Sequence, residues 1–291
     1  TNIMILSKRN TPINEPEESE KTKFITISHN FHNDLNFEKV QEIYENIVTN
    51  TPDTDLRIEE YSTKDILTIS LNWNTLFSDI SWLEQVQDKV IFCKDLFEIN
   101  RGERRGWNPM FYPPRNHGIE SDFIRPVLRT PRHIKNLIAT AETEAFCCPL
   151  SIADLRNGNY TGAINWINTF SHEVNTKGEP LPEVLEAVAS EGEYWYTMSD
   201  SRMADLVASM NFDRRIFIAK LDTRSFVDQR LTRFTLLNPD TDIELAHALL
   251  NSLLGIFFIE SLGFGRGLGA LDLSSTRMKK YLKMLNPSLL T

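Results

Sequence analysis

Cysteine is scarce: Cys93, Cys147 and Cys148 are the only three in 291 residues, and no C-x-x-C pair occurs. An odd count without that spacing excludes a disulfide framework and a zinc ribbon, and the expected compartment is the reducing cytoplasm. Metalloprotease spacing is missing too. His172-Glu173 has no second histidine at the H-E-x-x-H position, and the six histidines (29, 32, 117, 133, 172, 247) form no ligand set. No G-x-S-x-G nucleophile elbow is present. No lysine stands two residues after Asp or Glu, which removes the (D/E)-x-K phrase common in metal nucleases. Long apolar runs are also lacking. The stretch Ile243–Leu262 is interrupted by Glu244, His247, Asn251 and Glu260. It therefore reads as one buried helix over 242–262, closed by a left-handed Gly263, and no membrane partner is expected. The chain opens Thr1-Asn2-Ile3 with no visible signal peptide, and it is expected to be a piece of something longer.

What is present is ordinary in bulk: 41% hydrophobic, 10% aromatic and 24% charged residues, enough for one large or two modest domains and too much apolar content for disorder. The charge is uneven. Residues 1–100 hold 9 Lys+Arg against 18 Asp+Glu, whereas residues 101–291 hold 22 of each. Inside that neutral part the basic residues cluster: 101–135 carries a net +5, 214–235 a net +4 and 266–283 a net +4. Arginine dominates these runs, and its planar fork matches phosphate oxygens and the guanine edge better than lysine does. Basic runs are also ordinary solvated faces, so charge alone leaves nucleic-acid binding open. The net charge of -9 argues against non-specific DNA affinity but not against a local positive face.

Along the chain, IMILS (3–7) and FITIS (24–28) read as neighbouring strands joined by an acidic loop. Asn36 caps an amphipathic helix carrying Phe37, Val40, Tyr44, Ile47 and Val48, which ends near Thr51-Pro52. Strands are expected within 56–71. A second helix is expected from Ser81, where Ser81 and Glu84 form a capping box and Ile80, Leu83, Val86 and Val90 share a face. Beyond residue 98, loops rich in Gly, Pro, Arg and aromatics alternate with β-like runs: AFCCPL, GAINWI, RIFIAKL and SFVDQRLTRFTLL. A short basic helix over 276–285 precedes Asn286-Pro287. The fold class is α+β, an irregular β-rich domain with flanking helices behind a small αβ segment.

The motifs argue mostly by exclusion. The turn GFGRGLG (263–269) follows a helix rather than a strand and has no acidic residue about 20 positions on, so it is a glycine-rich turn and not a cofactor loop. Its glycines still let the backbone approach a ligand and present Arg266. Asn108-Pro109-Met110-Phe111 lacks the second proline of the adenine-methylating loop. No catalytic, cofactor or metal residue is expected.

At RGERRGWNPMFYP (101–113) the chain resembles the C-terminal, target-recognition part of TaqI-like adenine-N(6) DNA methyltransferases and fused restriction-modification enzymes, through Gly102, Gly106, Asn108 and Phe111. The parallel continues in FIRPVLRTPRHI (123–134), YTGAINWI (160–167) and VDQRLTRFTL (227–236), and is best over 244–287. IMILSK and KFITI resemble the last strands of that family's catalytic domain. The resemblance implies three parts: catalytic-domain strands over 1–30, a connecting αβ segment over 31–98, and a DNA target-recognition domain over 99–291. It also implies double-stranded DNA as partner, with the cofactor S-adenosylmethionine and the missing catalytic domain belonging to the intact protein rather than to this fragment.

Local chemistry selects the candidate contacts. Arg101, Arg104 and Arg105 sit in a Gly-flanked loop suited to phosphate or guanine. Arg129 and Arg132 follow in the next basic run. Trp107 is a buried anchor or a stacking ring, and Asn108 an adenine contact or a turn residue before Pro109. Arg230 and Arg233, three apart in a β-like run, project to opposite faces, so only one of them can enter a groove. Arg266, Arg277, Lys279, Lys280 and Lys283 are phosphate contacts or a solvated face. The alternative function is a protein-docking module of a multi-subunit restriction-modification assembly, with the acidic first 100 residues as its face. An enzyme with an unrecognised site is a third.

Overall fold

A computed structural model describes residues 2–3, 20–27, 36–68, 71–212, 215–265 and 271–290. The chain has an α+β fold and divides into two compact units, Thr1–Lys89 and Val90–Thr291.

In the first unit, strands β1 (Asn2–Ile3), β2 (Lys21–Ile27) and β3 (Leu56–Ser62) form an antiparallel sheet in that order. Thr26 and Ile25 pair with Asn2 and Ile3, as expected of neighbouring strands, and residues 4–19 lie outside the described residues. Because β2 pairs with β3 along its whole length, the segments before and after residue 30 share one sheet. Helix α1 (Phe37–Thr49) starts where expected: the Asn36 side chain accepts from Lys39 N at 2.8 Å, and Asn50 in the left-handed region (φ 58°) closes it. Phe24 anchors the sheet edge-on against Phe77 (5.2 Å) and Tyr61 (6.0 Å). Of the expected strand region, 56–62 is strand, α2 (Thr63–Thr68) follows β3 directly, and residues 69–70 lie outside the described residues. The helix expected from Ser81 is a single 3-10 turn, Ser81–Gln85. Its N-cap position is Ile80, without a side-chain cap, and Ser81 serves instead as a donor, its N–H bonding the preceding Asp79 Oδ1 at 2.9 Å.

The second unit begins with β4 (Val90–Phe92), which pairs with the last strand of the chain and so removes Val90 from any helix. Its elements follow as β5 (Phe97–Arg101), α3 (Asn108–Phe111), β6 (Ile124–Leu128), β7 (Ile138–Ala139), β8 (Thr143–Phe146), α4 (Ile152–Asn157), α5 (Thr161–Ser171) and α6 (Leu181–Glu186). Then come β9 (Ala204–Ser209), β10 (Asn211–Phe212), β11 (Ile218–Val227), β12 (Leu231–Leu236), α7 (Ile243–Leu250) and α8 (Leu253–Leu262). The last elements are β13 (Phe264–Gly265), β14 (Leu271–Asp272), α9 (Ser275–Tyr281) and β15 (Lys283–Leu285).

The main sheet runs β5-β12-β9-β11-β6-β8, with β7 also on β11. β11 meets β6 and β7 in parallel and β9 antiparallel. A register shift between Lys220 and Ser225 bends it, so Lys220 pairs with β7 and β9 while Phe226 and Val227 pair with Val127 and Leu128. One face is covered by a core of Phe111, Phe123, Val127, Phe146, Leu155 and Ile167, to which α3–α6 contribute. Cys147 and Cys148 are buried free thiols in this core. A second core joins Leu128, Val207, Leu221 and Val227.

Three expectations change here. GAINWI is helix α5, not strand, because Glu120 caps it from 42 residues away, accepting from Gly162 N (2.7 Å) and Ala163 N (2.8 Å). The long helix over 242–262 is two, α7 and α8, bent by 63°. Asn251 leaves the helix to serve β11: its Oδ1 accepts from Ile218 N and its Nδ2 donates to Ile218 O, both at 2.9 Å. Ser252 then caps α8 through Gly255 N. Gly263 is extended (φ -75°, ψ 162°) rather than left-handed. No single helix among the described residues is long and apolar enough to cross a membrane.

His247 completes this seam. Its Nε2–H donates to the Ile218 carbonyl at 2.9 Å, and burial lowers its pKa, only partly opposed by that bond. The folded chain therefore resists a proton that the unfolded chain accepts near 6.5. The stability contributed by neutral His247 is full above that pH and is lost as pH falls below it. Between about pH 7.5 and 5.5 the melting temperature of the wild type should fall more than that of His247→Gln, which donates to Ile218 without titrating. Parallel pH curves would remove His247 as the source.

Candidate nucleic-acid interface

The convergence of the basic loops depends on one glycine. A Cβ on Gly102 would collide with the backbone carbonyls of Val227 and Asp228. Its absence lets the end of β5 lie directly on the β11–β12 turn. Gly102 N donates to Leu231 O (2.9 Å), Glu103 N to Val227 O (2.8 Å), and Glu103 forms a parallel bridge with Asp228. On its other side the turn is tied to the end of β6, Asp228 N donating to Leu128 O at 3.0 Å. Within the turn, the Asp228 carboxylate accepts from Arg230 N (3.1 Å), and Arg101 Nε donates to Gln229 O (2.5 Å). Three segments distant in sequence, 101–104, 128–132 and 228–230, are thereby stitched into one surface.

Five of the sequence-selected arginines lie on these segments: Arg101, Arg104, Arg129, Arg132 and Arg230. Among the described residues none of the five has a carboxylate within ion-pair distance. Four arginines elsewhere in the unit are paired: Arg125 with Asp200 (3.1 Å), Arg202 with Glu193 (2.9 Å), Arg224 with Asp205 (3.1 Å) and Arg233 with Glu98 (3.1 Å). Arg104, Arg132 and Arg230 are exposed, with no side-chain partner among the described residues. Arg129 is half-buried, its guanidinium 4.5 Å above the Tyr112 ring. A cleft of about 440 Å³ opens between Arg101, Pro131, Asn211, Arg230, Asp272 and Ser274. α9 packs on β5, and Lys279 Nζ donates to Asn100 Oδ1 at 3.1 Å, next to Arg101.

The remaining selected residues lie elsewhere. Arg105, read from the sequence as a loop contact, is inside, 5% exposed. Its guanidinium covers the Phe111 ring at 4.9 Å and donates to Trp195 O at 3.1 Å, while Nε and Nη1 find no partner among the described residues. Burial lowers its pKa and raises that of neighbouring Glu103, the latter opposed by Arg202 at 3.6 Å. Arg233 is also inside, holding Glu98 with both terminal nitrogens. Of the pair 230 and 233, only Arg230 is therefore at the surface, and it sits in the turn rather than in β12. Trp107 packs against the first core as an anchor, with Nε1 unpartnered among the described residues. Asn108 is the exposed first residue of α3. Lys280 lies over the Tyr281 ring at 4.9 Å, Arg277 donates to Leu262 O, and Arg266 falls outside the described residues.

Sequence reasoning missed Tyr112 as a platform, and Asn211 and Asp272 as cleft walls. Those two meet only because β10 pairs with β14, which leaves no local signal.

No family model matches this chain. Among solved structures, the type IIG restriction endonuclease BpuSI is similar at a TM-score of 0.44 and 11% identity, over 92% of this chain and 33% of that one. The S subunit of a type I restriction-modification system from M. genitalium follows at 0.29 and 13%, over 67% of this chain and 33% of that one. The chain thus spans about a third of either protein's length, and at scores this low neither likeness fixes fold or function.

Proposed function

We propose that the Val90–Thr291 unit binds duplex DNA and is the target-recognition part of an adenine-N(6) DNA methyltransferase of a restriction-modification or phage-defence system. The observation that carries the binding is the group of five arginines, without carboxylate partners among the described residues, on three segments stitched around one turn. Elsewhere in the unit some arginines are ion-paired (Arg125, Arg202, Arg224, Arg233) and others, such as Arg115 and Arg156, are open among the described residues, so it is the gathering of five open guanidinium groups on adjoining segments that presents a set of donors to an anionic backbone. The adenine-methyltransferase assignment rests on the sequence resemblance, most specific over 96–135 and 244–287.

Of the glycine turn, Gly263 follows α8 and is extended beside Leu271, and residues 266–270 lie outside the described residues. On the sequence resemblance, S-adenosylmethionine and methyl transfer are assigned to the intact protein. The chemistry assigned to this chain is positioning: arginines hold phosphates, and a smaller set of groups reads base edges.

Titration of the 291-residue chain against a labelled duplex at increasing KCl tests the reading. With four to five phosphates neutralised, log K should fall against log[salt] with a slope of about -4. No binding at about 50 mM salt, or binding indifferent to salt, would remove duplex DNA as the ligand.

A second reading attaches to the first unit alone. Phe37, Val40, Tyr44 and Val48 form one exposed stripe on α1, with Phe37 81% exposed, flanked by Glu38, Glu42 and Glu45. That surface favours docking onto another protein, and salt-insensitive partner binding without DNA affinity would support it.

A further inference from the structure

Reading a base edge and holding a phosphate place different demands on an arginine. Phosphate oxygens accept from many directions, so a flexible side chain serves. Bidentate donation to guanine O6 and N7 needs the guanidinium plane fixed. The five open arginines differ in this respect. Arg104, Arg132 and Arg230 are exposed and untethered. Arg101 is tethered, but its Nε–H is already committed to Gln229 O.

Arg129 alone combines a fixed plane with a full donor set. One face of its guanidinium is covered by the Tyr112 ring at 4.5 Å. Tyr112 itself packs against the first core, and burial raises its phenol pKa, so the platform is a neutral ring backed by the core. The main chain beneath Arg129 is pinned twice: its own N–H donates to Glu142 Oε1 at 3.0 Å, and preceding Leu128 accepts from Asp228 N. Glu142 thereby engages the Arg129 backbone and forms no ion pair with its guanidinium. All five N–H groups remain undonated among the described residues.

We propose that Arg129, held flat on Tyr112, is the specificity-determining residue that reads a guanine edge in the major groove, while Arg104, Arg132 and Arg230 contact phosphates. This rests on the duplex-binding reading above.

The probe is a pool of duplexes with a randomised core, from which bound molecules are sequenced at fixed salt. The wild type should enrich a motif containing at least one fixed G·C pair. Arg129→Ala and Arg129→Lys should both lose about tenfold or more of the preference at one such pair, because lysine keeps the charge but not the fork. Their salt slopes should stay close to wild type, whereas Arg132→Ala should keep the motif and flatten the slope by about 1. Tyr112→Leu, which leaves Arg129 in place, should weaken the same position. Melting curves establish that each variant is folded. An unchanged motif in folded Arg129→Ala, or a wild type that binds duplexes without preference, overturns this assignment and leaves duplex binding standing. A wild type that binds no duplex overturns both.

Discussion

Replacing Arg104, Arg132 and Arg230 together with alanine should lower affinity for duplex DNA by on the order of a hundredfold or more at about 0.15 M salt, and should flatten the salt slope by about 2.7. Each of the three is exposed and bonded to no carboxylate, so its removal leaves no buried charge behind and the fold should be unaffected. A change in slope is more diagnostic than the loss itself, since a lost base contact or a misfolded fraction would weaken binding without altering the number of counterions released. Arg156→Ala, on α4 and equally exposed, lies outside the three segments and serves as the control. Equal loss from that single control would show a diffuse charge effect in place of a defined surface. Arg105 does not belong in such a series. Its buried guanidinium over Phe111 makes Arg105→Ala a packing variant, and any loss of binding there would report unfolding.

The elements legible in the sequence are those whose signals are local. The Asn36 cap and the period of Phe37, Val40, Tyr44 and Val48 mark α1 to its ends, because a capped amphipathic helix needs nothing from elsewhere. The strand pair β1–β2 and the runs that became β11 and β12 follow from β-branched and aromatic density. What was not legible is decided by partners far along the chain. Glu120 makes a helix of GAINWI, Ile218 takes Asn251 out of a continuous helix, and β15 draws Val90 into a ladder. The candidate site divides in the same way. Arginine clustering was visible, but which guanidinium points inward was not. In the run Glu103-Arg104-Arg105, adjacent residues alternate between core and solvent, and only the seating of Gly102 on the β11–β12 turn determines which is which.

That seating provides the other large effect. Gly102→Val should lower duplex affinity about tenfold or more although no charged residue has changed. Three added carbons would be driven into the carbonyls of Val227 and Asp228, which are backbone and cannot rotate aside. The bonds from Gly102 N to Leu231 O and from Glu103 N to Val227 O would have to lengthen, and the Glu103–Asp228 bridge would open. Overpacking of this kind costs about 3 kcal/mol at the upper end of its usual range, or roughly 6–12 °C in melting temperature for a unit of this size. The binding loss has a separate origin. With the seam parted, the segments bearing Arg101 and Arg104 are no longer held against the turn bearing Arg230, and the duplex must restore that order as it binds. Duplex titration below the lowered melting temperature separates the two effects. Folded Gly102→Val with a wild-type salt slope and weakened affinity is the expected result, because the arginines are still present but no longer pre-arranged. Wild-type affinity in that variant would mean that the arginines act independently, and that the surface assembled around Asp228, Gln229 and Arg230 is not what receives the DNA.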